Sequence, residues 1–269
     1  MDLILGIAAS PSWMLLIGLG VLLGLEYRLP FREVVQSKLL HVATNLTIAG
    51  GNALVVSLLA GGLLLAWVTH ANEAGWGVLP HLDLGTAGNI IASIVLLDLW
   101  LYWFHRANHR WPLLWRLHRA HHSDLDVDVT TALRFHTGEV VVAIAFKAAI
   151  IPTMGIPVLG WITYEILAQA VSQFQHSNIR VLELLDRQLR IVLVTPHVHW
   201  IHHSRNDMDH DRNYGIILSI WDRWFGTYYL GVKREDIQIG LDEYPLAAQS
   251  SLAKFFMIPF GADCRQGHP

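Results

Sequence analysis

Leu84-Gly-Thr-Ala-Gly-Asn-Ile-Ile-Ala-Ser-Ile-Val-Leu-Leu-Asp98-Leu-Trp-Leu-Tyr-Trp-Phe-His105-Arg-Ala-Asn-His109 is the stretch that decides how this chain is read. A bilayer core about 30 Å thick asks for about 20 mostly apolar residues in helical form. Leu84 to Phe104 is such a run, interrupted only by Asp98. It ends in two histidines four residues apart, which share one face of a helix with Cβ atoms about 5–6 Å apart.

Two further apolar runs precede it, Leu3 to Leu25 and about Val42 to Val68. The first has no cationic n-region and is too long for a signal h-region, so it reads as a retained helix. Its Gly20 and Gly24 make a weak packing motif. A later block, Val140 to Phe174, is broken by Pro152, Gly155 and Pro157. It is too long for one span and just short of two, which suggests a hairpin entering and leaving on one face.

Composition agrees with a bilayer as solvent. The 269 residues are 53% hydrophobic and 15% charged, against about 25% charged in ordinary soluble domains. The mean hydropathy is +0.37. Nineteen basic residues against twenty-two acidic ones leave no field for nucleic acid. One cysteine, Cys264, permits neither an internal disulfide nor a thiolate metal cluster. The expectation is an all-α, multi-pass transmembrane bundle with a histidine-rich helical cap.

Loop charges orient it. The first loop carries Arg28, Arg32 and Lys38, whereas Thr69 to Asp83 has no Lys or Arg. The positive-inside rule makes the first loop cytoplasmic and the second external. The third span then delivers His105, Arg106, His109, Arg110, Arg116 and Arg119 to the cytoplasm, and the hairpin returns Arg180 and the later arginines there. We read one membrane-embedded domain, 1–269. It comprises three transmembrane helices in 1–104, two histidine clusters in 105–139, a membrane hairpin in 140–175, a cytoplasmic cap in 176–245 and a tail in 246–269.

Eleven of the sixteen histidines fall between His105 and His203; even spreading would put about six there. His105 and His109 form one pair. His118, His121 and His122 share one side of the next helix, and His199, His202 and His203 repeat that spacing. Eight clustered imidazoles exceed the four to six positions of one ion, so two ions are implied. No Glu-x-x-His occurs, which separates the pattern from soluble di-iron bundles. Isolated histidines such as His41, His70 and His81 read as hydrogen-bonded core residues.

These residues resemble the fatty acid hydroxylase and sterol desaturase superfamily of integral-membrane, non-haem di-iron oxygenases. The resemblance runs from about Asp98 to Tyr229. It rests on Asp98 to His109, Leu117 to Ser123, Arg134 to Glu139, Phe174 to Asn178, Thr195 to Ser204, Asn213 to Gly215, and Trp221 to Tyr228. It implies two irons that activate dioxygen, although zinc can replace iron in a purified sample. By position the ligands would be His105, His109, His118, His121, His122, His176, His199, His202 and His203. His136 is open between ligand and outer neighbour, His197 reads as incidental or as an outer neighbour, and His210 as a solvated loop residue.

Asp98 lies seven residues before His105, close to two helical turns, and so projects from the same face. An intramembrane carboxylate is usually paired or functional, and we expect Asp98 to accept a ligand's free ring N–H. Glu139, Asn206, Asp207 and Asp222 are weaker candidates for that role.

An aliphatic C–H bond resists acid–base attack, so oxidative metal chemistry is the available route. The expected function is hydroxylation or desaturation of a lipid using dioxygen and two external electrons; the motifs do not choose between the two. Lacking a Gly-x-Gly-x-x-Gly fingerprint, the chain would take electrons from a ferredoxin or cytochrome b5 type carrier. Alternatives are a zinc-dependent membrane hydrolase, for which His-Glu-x-x-His is missing, a metal transporter, and an inactive relative.

Overall fold

The run around Asp98 is a helix, α4 (Gly85–Arg110), in a computed structural model that describes residues 2–58, 62–244 and 251–261. At about 1.5 Å per residue its 26 residues reach about 39 Å, beyond a hydrocarbon core of about 30 Å. The surplus is its last two turns, which carry His105 and His109. Trp111 ends the helix in extended conformation (φ −96°, ψ 120°), as the residue before Pro112 must. Pro112 then opens α5 (Pro112–His122), where a missing N–H costs nothing.

Among the described residues the architecture is all-helical, with only isolated β-bridges between segments. The first apolar run is α1 (Asp2–Arg28). The second is two helices where one was expected, α2 (Lys38–Val56) and α3 (Gly62–Glu73). That run holds Gly50, Gly51, Gly61 and Gly62, the residue type that costs a helix most after proline; residues 59–61 lie outside the described set. Three helices, Lys38–Val56, Gly85–Arg110 and Thr137–Met154, are long and apolar enough to cross a membrane.

The Pro/Gly-broken block is a helical hairpin, α6 (Thr137–Met154) and α7 (Val158–His176). Gly155 closes α6 in the left-handed region (φ 71°, ψ 35°), and its N–H donates to the Pro152 carbonyl at 3.0 Å. Space demands glycine there as well, because a Cβ would lie 2.4 Å from Pro80. The hairpin tip therefore seats against the α3–α4 connection, where Val78 N–H donates to the Met154 carbonyl at 3.1 Å. It lies at the end of the bundle remote from His105. Helices α4 and α7 cross closely at Gly160, whose missing Cβ would meet Ser93 Oγ at 2.3 Å. A Cβ on Gly20 or Gly24 would meet nothing within 4 Å, so that motif packs no neighbour.

The cap is built from α5, the segment 123–136 and the short helices α8 (Glu183–Leu189), α9 (Pro196–His202), α10 (Asp207–His210) and α11 (Ile220–Trp224). Alternating carboxylates tie it to the spans. Asp126 accepts from Val35 N and Gln36 N at 2.8 Å each. Asp128 accepts from Lys38 Nζ at 2.6 Å and His41 Nδ1 at 3.1 Å, and Asp124 meets His41 Nε2 at 2.9 Å. Burial pushes the Asp128 carboxyl up, but His41 and Lys38 outweigh it and hold the group well below the usual carboxylate range. His41 is thus a hydrogen-bonded core residue as expected. His70 and His81 are not: both are exposed.

The tail packs on the cap. Helix α12 (Leu252–Met257) leads into a 3-10 turn, Ile258–Phe260, behind α5. The fully buried Arg119 donates there to the carbonyls of Ile258 at 2.7 Å and Gly261 at 2.8 Å. The rest of the tail, with Cys264, lies outside the described residues.

Candidate metal centre

The nine histidines proposed as ligands all reach one buried place. His105 and His109 arrive on the last turns of α4, His118, His121 and His122 on α5, His176 at the end of α7, and His199 and His202 on α9 with His203 just beyond. They fall into two groups: His105, His109, His118, His122 and His202, then His121, His176, His199 and His203. Within each group one ligand atom per residue lies within 4.8 Å of every other.

Outer oxygens settle the tautomers. The Nδ1–H of His105 donates to the Tyr214 carbonyl at 2.8 Å, that of His121 to Arg134 at 3.2 Å, that of His176 to Ser172 at 2.7 Å and that of His202 to Arg212 at 2.8 Å. His118 Nδ1 donates to Glu139 Oε1 at 2.7 Å. A neutral imidazole that donates through Nδ1 presents a lone pair at Nε2. Yet Nε2 of His202 lies 3.0 Å from Nε2 of His105, and Nε2 of His176 lies 3.2 Å from Nε2 of His121. Facing lone pairs at hydrogen-bond distance repel unless a cation sits among them. In addition, His122 Nδ1, His199 Nδ1 and both nitrogens of His203 are buried without a hydrogen-bond partner among the described residues. Burial, then neighbouring imidazoles, pushes His121, His122, His199, His202 and His203 well below the usual histidine range. They stay neutral, the form that ligates metal. The donor set fits two imidazole-loving cations.

Glu139 lies against a ring nitrogen of His118 and also accepts from Asn108 at 3.2 Å. Three other expectations need correction. Asp98 accepts from Ile217 N and Leu218 N at 3.0 Å each, from Trp221 Nε1 at 2.8 Å and from Tyr164 at 3.3 Å. Those four donors fill its oxygens, so it anchors the segment after Gly215 to α4 and touches no histidine ring. His136 Nδ1 accepts from Gly138 N at 3.0 Å and caps α6, and Asn206 Oδ1 accepts from Met208 N at 3.1 Å and caps α10. Each is spent on a helix terminus. His197 meets the Val232 carbonyl at 3.1 Å, apart from both groups.

His210 is no solvated loop residue. It is fully buried, its ring stacked on Trp115 at 5.4 Å and on His122 at 5.8 Å, and with His109 and Asp211 it forms a third potential ligand group. Asp211 Oδ1 lies 3.4 Å from His109 Nδ1. No local spacing signals this, because α10 is a single turn placed by the loop that follows. In that loop Asn213 takes a left-handed conformation (φ 54°), which asparagine tolerates better than most residues. Its side chain bonds Val198 O at 3.0 Å and Tyr229 O at 2.8 Å. Asp222 accepts from Tyr214 N at 2.7 Å and Gly215 N at 2.8 Å. Together they present the Tyr214 carbonyl to His105.

A cavity of about 550 Å³ leads from these rings into the bundle, with His105, His118, His121, His176 and His199 at one end and residues of α4, α6 and α7 along it. Residues 90–227, over half of the chain, match the profile of the fatty acid hydroxylase family. The chain belongs to this family. Among curated proteins it is 33% identical over 132 residues to the alkylglycerol monooxygenase of Homo sapiens, covering 49% of this chain and 28% of that protein. It is 27% identical over 155 residues to the ornithine lipid hydroxylase OlsE of Rhizobium tropici, covering 58% and 46%. It is 29% identical over 160 residues to the fatty acid hydroxylase vlmA of a Lecanicillium species, covering 49% and 40%. In each case the match spans less than half of the relative. No solved structure matches this member of the fatty acid hydroxylase family.

Proposed function

We propose that the chain is an integral-membrane oxygenase that holds two irons on its nine clustered histidines and hydroxylates an aliphatic carbon of a lipid. The observation that carries this is the pair of Nε2-to-Nε2 contacts at 3.0 and 3.2 Å between rings whose Nδ1–H groups are already committed. Bound there, the irons would supply the activation of dioxygen that an unactivated C–H bond requires. One oxygen atom enters the C–H bond, and the other leaves as water with two protons and two electrons from an external carrier. The relatives' names speak for hydroxylation over desaturation.

The protein's own part is positioning. Glu139 and the backbone carbonyls fix each ring's tautomer and direction. The cavity would hold an acyl chain straight and dry against the rings. Loop charges support a cytoplasmic cap, where a ferredoxin or cytochrome b5 type donor would dock.

The test is anaerobic loading with ferrous iron, metal analysis, and mass spectrometry of lipids from membranes with the intact chain or His121→Ala. We expect about two irons per chain, as the ligand count implies, and a lipid gaining one oxygen atom only with dioxygen and the intact chain. One zinc with oxygen-independent hydrolysis would overturn the reading.

A further inference from the structure

The cavity has a second polar end. Lys147, the eleventh residue of the 18-residue α6, faces Glu165 on α7, with Nζ 2.7 Å from Oε1 and 2.9 Å from Oε2. Trp161 Nε1 donates to the same Oε1 at 2.9 Å. At about 1.5 Å per residue Lys147 lies about 15 Å along α6, near the middle of the hydrocarbon core. Charges at that depth are costly and mark function more often than packing.

Three observations separate this pair from a helix–helix tie. Both side chains line the cavity, and they keep 21% and 38% of their surface exposed, where a tie would be sealed. Gln169, Ser172 and His176 follow Glu165 along α7 at four, seven and eleven residues, one face of the helix, and all line the same cavity. Gln169 Nε2 and Gln175 Oε1, also on that wall, are buried with no hydrogen-bond partner among the described residues. Apart from the histidines, Asn108 and Glu139 at the metal end, the remaining wall is mostly apolar, with Leu101, Phe104, Ile144 and Ala168 among its residues.

A plain hydrocarbon filling this cavity would strip water from Lys147 and Glu165 and give nothing back. A carboxylate end would meet Glu165 and an ammonium end Lys147, each a like charge. A hydroxyl both donates and accepts, so it satisfies the two partners together and carries no charge into the bilayer. Resting on the lipid-oxygenase reading, we infer that Lys147 and Glu165 anchor a substrate bearing a neutral hydroxyl at the end remote from the oxidised carbon. Eleven helical residues between Glu165 and His176 set that separation at about 16 Å.

The test uses the full chain in detergent without added iron, and reads lipid occupancy through tryptophan emission, with Trp161→Phe identifying the contribution of Trp161. The probes are hexadecanol and hexadecane. We expect the native chain to bind the alcohol about tenfold more tightly, the worth of one hydrogen bond to a charged group. The double variant Lys147→Met, Glu165→Leu should lose that preference while keeping its helical circular dichroism and its iron loading. Equal affinities in the native chain overturn the inference without any variant, which covers the case where the double variant does not fold. A preference unchanged in the double variant overturns it too. Binding needs neither iron nor turnover, so a selective but inactive protein would sink the oxygenase reading and leave the anchor standing.

Discussion

Glu139 illustrates what one outer residue contributes. Its Oε1 holds His118 Nδ1 at 2.7 Å, and loss of such a partner lowers metal affinity about 10–100-fold. Glu139→Ala should therefore lose iron to a chelator at lower concentration by that factor, and Glu139→Gln, which still accepts a hydrogen bond, should lose much less. Asp128 offers a pH test. Its folded carboxyl titrates below the ordinary value of about 3.9. Between those two values the unfolded chain holds the extra proton, so stability should be full above about pH 4 and fall as pH drops further. Thermal unfolding of Asp128→Asn in detergent should show lower stability near neutrality and a shallower acid slope. Residue identity was legible in sequence where spacing carried it: eight of the histidines declare themselves through repeats of three and four, whereas His176 stands alone and is named only through the family resemblance. Asp98 could be placed beside His105, but its partners Ile217 and Leu218 lie about 120 residues away, and no local pattern names them.

Helices were legible in proportion to how far their boundaries depend on local chemistry. Pro112, Gly155 and Pro157 mark real ends because proline and glycine restrict or free the backbone wherever they occur. The division between α2 and α3 escaped, since hydropathy is continuous from Val42 to Val68. His136 and Asn206 escaped as caps because a histidine near histidines invites a metal reading first. The α4–α7 crossing gives a prediction at this scale. Gly160 allows Ser93 Oγ within 2.3 Å of where a Cβ would be, so Gly160→Val must part the helices that carry His105 and His176. Overpacking of this kind costs about 1–3 kcal/mol. A lower midpoint in thermal unfolding, with iron loading reduced more than for Gly24→Val at an open site, is the expected outcome.

At the scale of the molecule, α4 outruns the bilayer by about 9 Å, and that excess makes a cap possible. Composition and loop charge were enough to foresee a bundle with its histidines gathered at one end; that the tail would brace α5 through Arg119 was not foreseeable, because the contact joins Arg119 to carbonyls about 140 residues on. Trimming residues 251–261 should remove the two carbonyls that Arg119 donates to behind α5 and cut iron retention, measured by metal analysis of the purified protein. The opposed ring nitrogens have a further consequence for biogenesis. A cap that repels itself until cations arrive would, with iron as the proposed metal, tie maturation to iron supply, since binding to the native form alone shifts the folding equilibrium toward it. Cells starved of iron should accumulate less of the chain, in a form cut faster by protease, while its message stays level.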